Sequence, residues 1–126
     1  MTDVVEPLRL SVPADVASLG AVRRSLHSWL SRVGVEHSDD IILAVHEAVA
    51  NALEHAGLDV DEVITVEAEV VEDVLRVLVR DGGAWKEQVA DGTRGRGLGI
   101  IRAVMDRVEL ESRVGSTSIE MSRRLR

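Results

Sequence analysis

The sequence predicts an α+β fold: a two-layer α/β sandwich in which helices cover one face of a mixed, mostly antiparallel sheet. Three observations predict it. Apolar residues recur at helical spacing in two long stretches ahead of residue 57 and at alternate positions in several short stretches elsewhere. The resulting order, β-α-α-β-β-loop-α-β-β, partly segregates strands from helices instead of alternating them strictly. A chain of 126 residues, 45% hydrophobic and 29% charged, suits one globular domain spanning residues 1–126 around a single core.

Leu8-Arg9-Leu10-Ser11-Val12 alternates apolar and polar residues and reads as a short strand ended by Pro13. A helix follows on the stripe Val16, Leu19, Val22, Leu26, Trp29, Leu30 and Val33, with Gly34 as its stop. Arg23, Arg24, His27 and Arg32 lie off that stripe, as a solvated face would, with a partner surface as the other reading. Ser38 suits the N-cap of the second helix, and Asp39 and Asp40 fall in its first turn, where the dipole favours acid. Its core stripe is Ile41, Ile42, Val45, Ala48, Val49, Ala52, Leu53 and Ala56, and Gly57 ends it.

From Asp61 the period becomes two. Ile64, Val66, Ala68 and Val70 share one face, Glu72-Asp73 makes a tight connection, and Leu75, Val77 and Val79 answer from the returning strand. This is a hairpin with one buried face. By parity Asp81 extends the buried line, and a carboxylate there needs a partner. Residues 82–99 form a loop region ending in a glycine cluster, which runs into a helical stretch through Ile100, Ile101, Val104 and Met105. Two strands close the chain: Val108 and Leu110, then Thr117, Ile119 and Met121, joined by a turn at Arg113-Val114-Gly115-Ser116, ahead of the basic Arg123, Arg124 and Arg126.

Composition excludes several classes. Trp29 and Trp85 are the only aromatics, so the core is aliphatic and no base-stacking platform exists. A net charge of −7 argues against direct nucleic-acid binding, which needs a basic footprint. With no cysteine there is no disulfide framework, thiolate zinc site or thiol nucleophile, in keeping with a cytoplasmic protein. The longest apolar run, Ile41 to Val45, is far short of a membrane span, and no apolar signal core opens the chain.

Three clusters carry chemistry. In the second helix Asp40, Glu47, Asn51 and Glu54 line the side opposite the apolar stripe, with His55 beside them. Glu47 and Asn51 are four residues apart and point the same way. Alone, that is an ordinary wet helix face. His46-Glu47 does not open a zinc-protease motif, because position 50 is Ala50, and His46 and His55 read as packing or surface residues. Magnesium, in contrast, often takes one protein oxygen alongside phosphates and waters. Asn51 could supply that oxygen, and Glu47 could act as a base toward a hydroxyl or a water. Second, Asp81-Gly82-Gly83 places a carboxylate at a strand end, able to accept from a buried donor such as an adenine amino group, although Asp-Gly is also a commonplace turn. Third, Gly95, Gly97 and Gly99 leave backbone N–H groups open just before a helix, which suits phosphate, with Arg94 and Arg96 adding positive charge. This cluster is neither a Walker A loop nor a Rossmann fingerprint.

Taken together, these residues resemble the GHKL (Bergerat-fold, HATPase) ATPases, and within them the anti-sigma-factor serine kinases of the RsbW/SpoIIAB type. The resemblance runs from about Leu8 to Leu125. Glu47 to Ala56 is similar to that family's N-box, Asp81-Gly82-Gly83 to its first glycine box, Gly95-Arg96-Gly97-Leu98-Gly99-Ile100 to its second, and Gly115-Ser116-Thr117 to its terminal Gly-Thr element. The N-box and second glycine box are the specific parts. The resemblance implies Glu47 as general base and Asn51 as magnesium ligand. It implies Asp81 as acceptor from the adenine amino group with Thr117 in support, and Gly83 against the base. Gly95, Arg96, Gly97, Leu98 and Gly99 would then lie around the phosphates. The implied activity is Mg-ATP-dependent phosphorylation of a serine on a STAS-type anti-sigma-factor antagonist by a protein that also binds a sigma factor, with a homodimer suggested. Trp85 stands where the first glycine box ordinarily ends in glycine. That departure favours another reading, a nucleotide-binding module that sequesters a partner without phosphotransfer. A catalytic domain cut from a longer regulator is a third.

Overall fold

The computed structural model describes residues 5–55, 63–81, 95–113 and 116–125. It places β1 at Leu8–Pro13, α1 at Ser18–Arg32, α2 at Asp39–His55, β2 at Val63–Val71, β3 at Val74–Asp81, α3 at Gly95–Val104, β4 at Arg107–Arg113 and β5 at Ser116–Arg124. The strands form one sheet in the order β1-β2-β3-β5-β4. All four pairings are antiparallel, so the expected mixed sheet is corrected. The reason lies in the crossovers. Two helices connect β1 to β2 and leave them antiparallel. β3 and β4, joined through α3, do run the same way, but β5 inserts between them.

Parity assigns the faces correctly. Ile64, Val66 and Ala68 of β2, Leu75, Val77 and Val79 of β3, and Ile119 and Met121 of β5 are all buried under the helices. The opposite face is polar and carries charges of both signs, with Arg76 donating to Glu120 at 2.8 Å. The hairpin turn uses Glu72 and Asp73 at φ 50° and 64°. Two successive positive φ values match the right-handed twist of the flanking strands in a two-residue turn.

Helix α1 buries Val22, Leu26, Trp29 and Leu30. Trp29 also donates its indole N–H to the Glu6 carbonyl at 2.8 Å, which ties the approach to β1 onto the helix. Its end is a Schellman motif: Gly34 N–H bonds the Ser31 carbonyl, Val35 N–H bonds the Leu30 carbonyl, and Gly34 takes φ +83°. Its start differs from expectation. Asp15 Oδ1 accepts from Ala17 N–H at 2.9 Å, Ser18 Oγ donates to the Pro13 carbonyl at 2.7 Å, and the helix opens at Ser18. Val16 therefore lies ahead of it and is 73% exposed, not part of the core stripe.

Helix α2 buries Ile41, Ala44, Val45, Ala48, Val49 and Ala52; Ala44 joins the stripe beyond those the spacing named. Its first turn is tied to the far end of the chain. Asp40 Oδ2 accepts from Arg123 Nη1 of β5 at 2.7 Å, and Asp40 Oδ1 accepts from Ile41 N–H at 2.8 Å. Asp40, on the face expected to be wet, stays partly exposed but carries this contact to β5. The Arg123 hydrogen bond, more than any other cause, holds the Asp40 carboxyl below its ordinary pKa. A depressed carboxyl stabilises the fold fully above the ordinary carboxylate range and loses that contribution as pH falls through the depressed value. Asp40 is 46% exposed and Arg123 29% exposed, so water screens the pair and its worth is about 0.5 kcal/mol. Asp40→Asn is expected to lower the melting temperature by roughly 2–4 °C at pH 7. The deficit should shrink as melts are run at pH values falling through the depressed value, below the ordinary carboxylate range; an equal deficit at both ends would assign the loss to something other than this charge.

Candidate nucleotide site

The ion pair between Asp40 and Arg123 sets the direction of α2. It pins the start of the helix to the C-terminal end of β5. From Asp40 to Asn51 the helix rises eleven residues, about 16 Å. From Arg123 back to Thr117 the strand spans six residues, about 20 Å. Helix α2 packs on β3, so its last turns come to the end of the sheet where β3 finishes and β5 begins. Asp81 and Thr117 sit there, directly opposite one another in the β3–β5 register. Helix α3 arrives at the same end. Met105 N–H bonds the Ile101 carbonyl, and Asp106 N–H bonds the Ser122 carbonyl at 2.9 Å, which places the helix C-terminus at the opposite end of the sheet. Its N-terminus at Gly95 therefore points back toward Thr117.

Three buried polar side chains converge on this end. Asn51 is 8% exposed, Asp81 2% and Thr117 2%. Only Ser18, which donates to Pro13, joins them among the buried polar residues described. The expected wet face of α2 does not extend to Asn51, which is buried, and α3 packs on the same helix. Among the described residues, the Asn51 carboxamide makes no hydrogen bond. A buried polar group in that condition calls for a partner. Glu47, one turn earlier on the same face, is half-buried. Parity brings Asp81 to the core side, as it does Thr117 in line with Ile119 and Met121, and the register pairs the two.

The second glycine cluster is placed differently from expectation. Gly95, Arg96 and Gly97 are the first residues of α3, not the loop ahead of it. Leu98 is half-buried against the core. Gly99 is exposed, and a Cβ there would meet no atom of the described residues beyond its own helix turn within 4 Å. Packing therefore does not demand glycine at 99, although alanine would favour the helix by about 1 kcal/mol. Close approach of a ligand to the backbone is a reason for glycine that the protein's own atoms do not supply. The expectations for Gly82, Gly83, Trp85 and Arg94, the helix end at Ala56 and Gly57, and Gly115 lie outside the described residues.

Two features of α2 were not foreseen. His46 faces α1, with its Nδ1 3.3 Å from the Arg23 guanidinium. Leu43 is a large apolar side chain left 45% exposed, four residues before Glu47. A leucine on the polar side of the helical wheel was its only sequence signal. Among the described residues no three His, Asp or Glu side chains gather as a protein-built metal cage would require, and no helix is long and apolar enough to cross a membrane.

The fold and sequence have counterparts among known proteins. The histidine kinase-like ATPase domain matches residues 12–123. The serine-protein kinase RsbW of Bacillus pumilus is 31% identical over 140 residues, covering 93% of this chain and 85% of that protein. The serine-protein kinase RsbW of Bacillus velezensis is 30% identical over 138 residues, with the same coverage of 93% and 85%. Among solved structures, the RsbU and RsbW domains of Rv1364c from Mycobacterium tuberculosis superpose with a TM-score of 0.78 at 29% identity, over 95% of this chain and 32% of that one. The histidine kinase domain of the blue-light-activated kinase of Erythrobacter litoralis EL346, at 23% identity and a TM-score of 0.62, shares the fold. The chain belongs to the histidine kinase-like ATPase family, and within it to the serine-protein kinases of the RsbW type.

Proposed function

We propose that this chain is an anti-sigma factor that sequesters a sigma factor and uses Mg-ATP to phosphorylate a serine on a STAS-type antagonist protein. The observation that carries the reading is the convergence of Asn51, Asp81 and Thr117, all buried, with the N-terminus of α3 at one end of the sheet. Asp81 accepts the adenine amino hydrogen, with Thr117 beside it. The open N–H groups at the start of α3 and the helix dipole favour the phosphates. The Asn51 carboxamide fits magnesium: it is a hard oxygen donor, buried, and without a hydrogen bond among the described residues. When bound, that ion neutralises charge on the phosphate oxygens and needs few further protein ligands. Glu47 takes the proton from the serine Oγ as the Oγ–P bond forms. The bond from the γ-phosphorus to the bridging oxygen breaks, and ADP leaves with that oxygen. Positioning and charge neutralisation do most of the work in such transfers.

Transfer of labelled γ-phosphate from ATP to a panel of STAS-type proteins tests the activity. Label is expected on a serine of one of them, and none on any would remove the kinase reading. Binding is tested separately. Mg-ATP at a hundred times its Kd is expected to stabilise the fold by about 2.7 kcal/mol. A melting temperature unmoved by millimolar Mg-ATP would remove the nucleotide site itself.

A further inference from the structure

Among the described residues, Leu43 is a large aliphatic side chain of α2 that stays outside the core. The other large aliphatic side chains described on α2, Ile41, Ile42 and Leu53, are buried or packed against the core, whereas Leu43 is 45% exposed. Single exposed leucines are common, so position is what matters here. Leu43 stands four residues before Glu47, and Glu47 four before Asn51. The three form one row along the helix, about 5–6 Å apart from Cβ to Cβ at each step. The row is graded: Asn51 is buried at the inner end, Glu47 is half-buried in the middle, and Leu43 is exposed at the outer end. Ala50, three residues after Glu47 and half-buried, keeps the adjoining surface low.

This grading constrains how a protein substrate approaches. On the kinase reading, on which this inference rests, the nucleotide lies toward Asn51 and Asp81. A serine Oγ that reached Glu47 from the outer end of the row would carry its segment over Leu43. A polar side chain at 43 would leave that crossing to water. A leucine offers apolar surface one helical turn from the base.

We propose that Leu43 is a specificity-determining residue for the protein substrate: it docks an apolar side chain that neighbours the phosphoacceptor serine. The preferred acceptor is thus a serine flanked by an aliphatic residue on an exposed segment. Leu43 makes no contact with ATP, and its contribution is to the binding of the acceptor protein.

The test uses the full chain and the STAS-type protein that accepts label from it. Leu43→Gln preserves helix propensity, so the variant should fold and melt with the wild type. It is expected to raise KM for the acceptor protein about tenfold, with KM for ATP and kcat unchanged. Leu43→Met should stay close to wild type, because it keeps the apolar surface. Replacing the aliphatic neighbour of the acceptor serine by Ser should raise KM similarly, and adding Leu43→Gln to it should cost little more. An unchanged KM in Leu43→Gln, or a change confined to KM for ATP, overturns the assignment while leaving the kinase reading intact. Absence of transfer by the wild-type chain overturns both.

Discussion

Glu47→Ala is expected to lose phosphotransfer by about 100- to 10,000-fold while binding ATP within about twofold of the wild type. The separation follows from position. Glu47 lies one turn outside Asn51 on α2 and is half-buried, whereas the groups assigned to the nucleotide, Asp81 and Thr117, are on β3 and β5. On the proposed roles, removing the carboxylate takes away the proton acceptor for the serine hydroxyl and leaves the adenine and phosphate contacts in place. The fold should tolerate the change, because Glu47 is not among the buried residues and alanine favours the helix. Single-turnover transfer to the acceptor protein measures the chemical step, and titration with Mg-ATP measures binding. Glu47→Gln separates basicity from shape: it should match the alanine variant in rate if the proton is what matters. An active Glu47→Ala enzyme would take the base away from this residue. Loss of ATP binding in the same variant would move Glu47 into the nucleotide contacts.

The β half of this fold was the more legible. Strand parity is a period of two, and it survives packing, so Asp81 and Thr117 could be assigned to the buried side before any partner was known. That they lie directly opposite one another was not legible, because it depends on β5 inserting between β3 and β4. The helical readings failed where a neighbour decides the outcome. Asn51 lies off the apolar stripe of α2, where spacing alone predicts a wet side chain, yet it is buried, and α3 packs on the same helix. Gly95 to Gly99 read as loop because glycine disfavours helix, yet burial of Ile101 and packing of Leu98 carry the helix back to Gly95. The Asp40–Arg123 pair joins residues 83 positions apart, and no local pattern announces it. Asp40 and Glu47 therefore shared one sequence description, polar residues on one helix face, although one is tied to β5 and the other is half-buried one turn from the buried Asn51.

The second large effect is expected at the adenine end. Asp81→Asn should raise the Kd for Mg-ATP by about 10- to 100-fold, the loss of a hydrogen bond to a charged acceptor. The carboxylate is acceptor-only, whereas an amide brings two N–H donors. At 2% exposure there is little water to satisfy whichever group is mismatched. An amide N–H directed at the adenine amino group sets donor against donor, but the same N–H can meet the O6 acceptor of guanine. ATP should therefore lose affinity while GTP changes little or gains, and the preference for adenine should narrow. That ratio distinguishes a change in recognition from a damaged fold, because a strained β3–β5 pairing would weaken both nucleotides alike. The melting temperature without nucleotide provides the complementary reading, since Asp81 and Thr117 share a register position and a disturbance at one is felt at the other. Unchanged ATP affinity would remove Asp81 from the adenine contact, and equal losses for ATP and GTP would make its role structural.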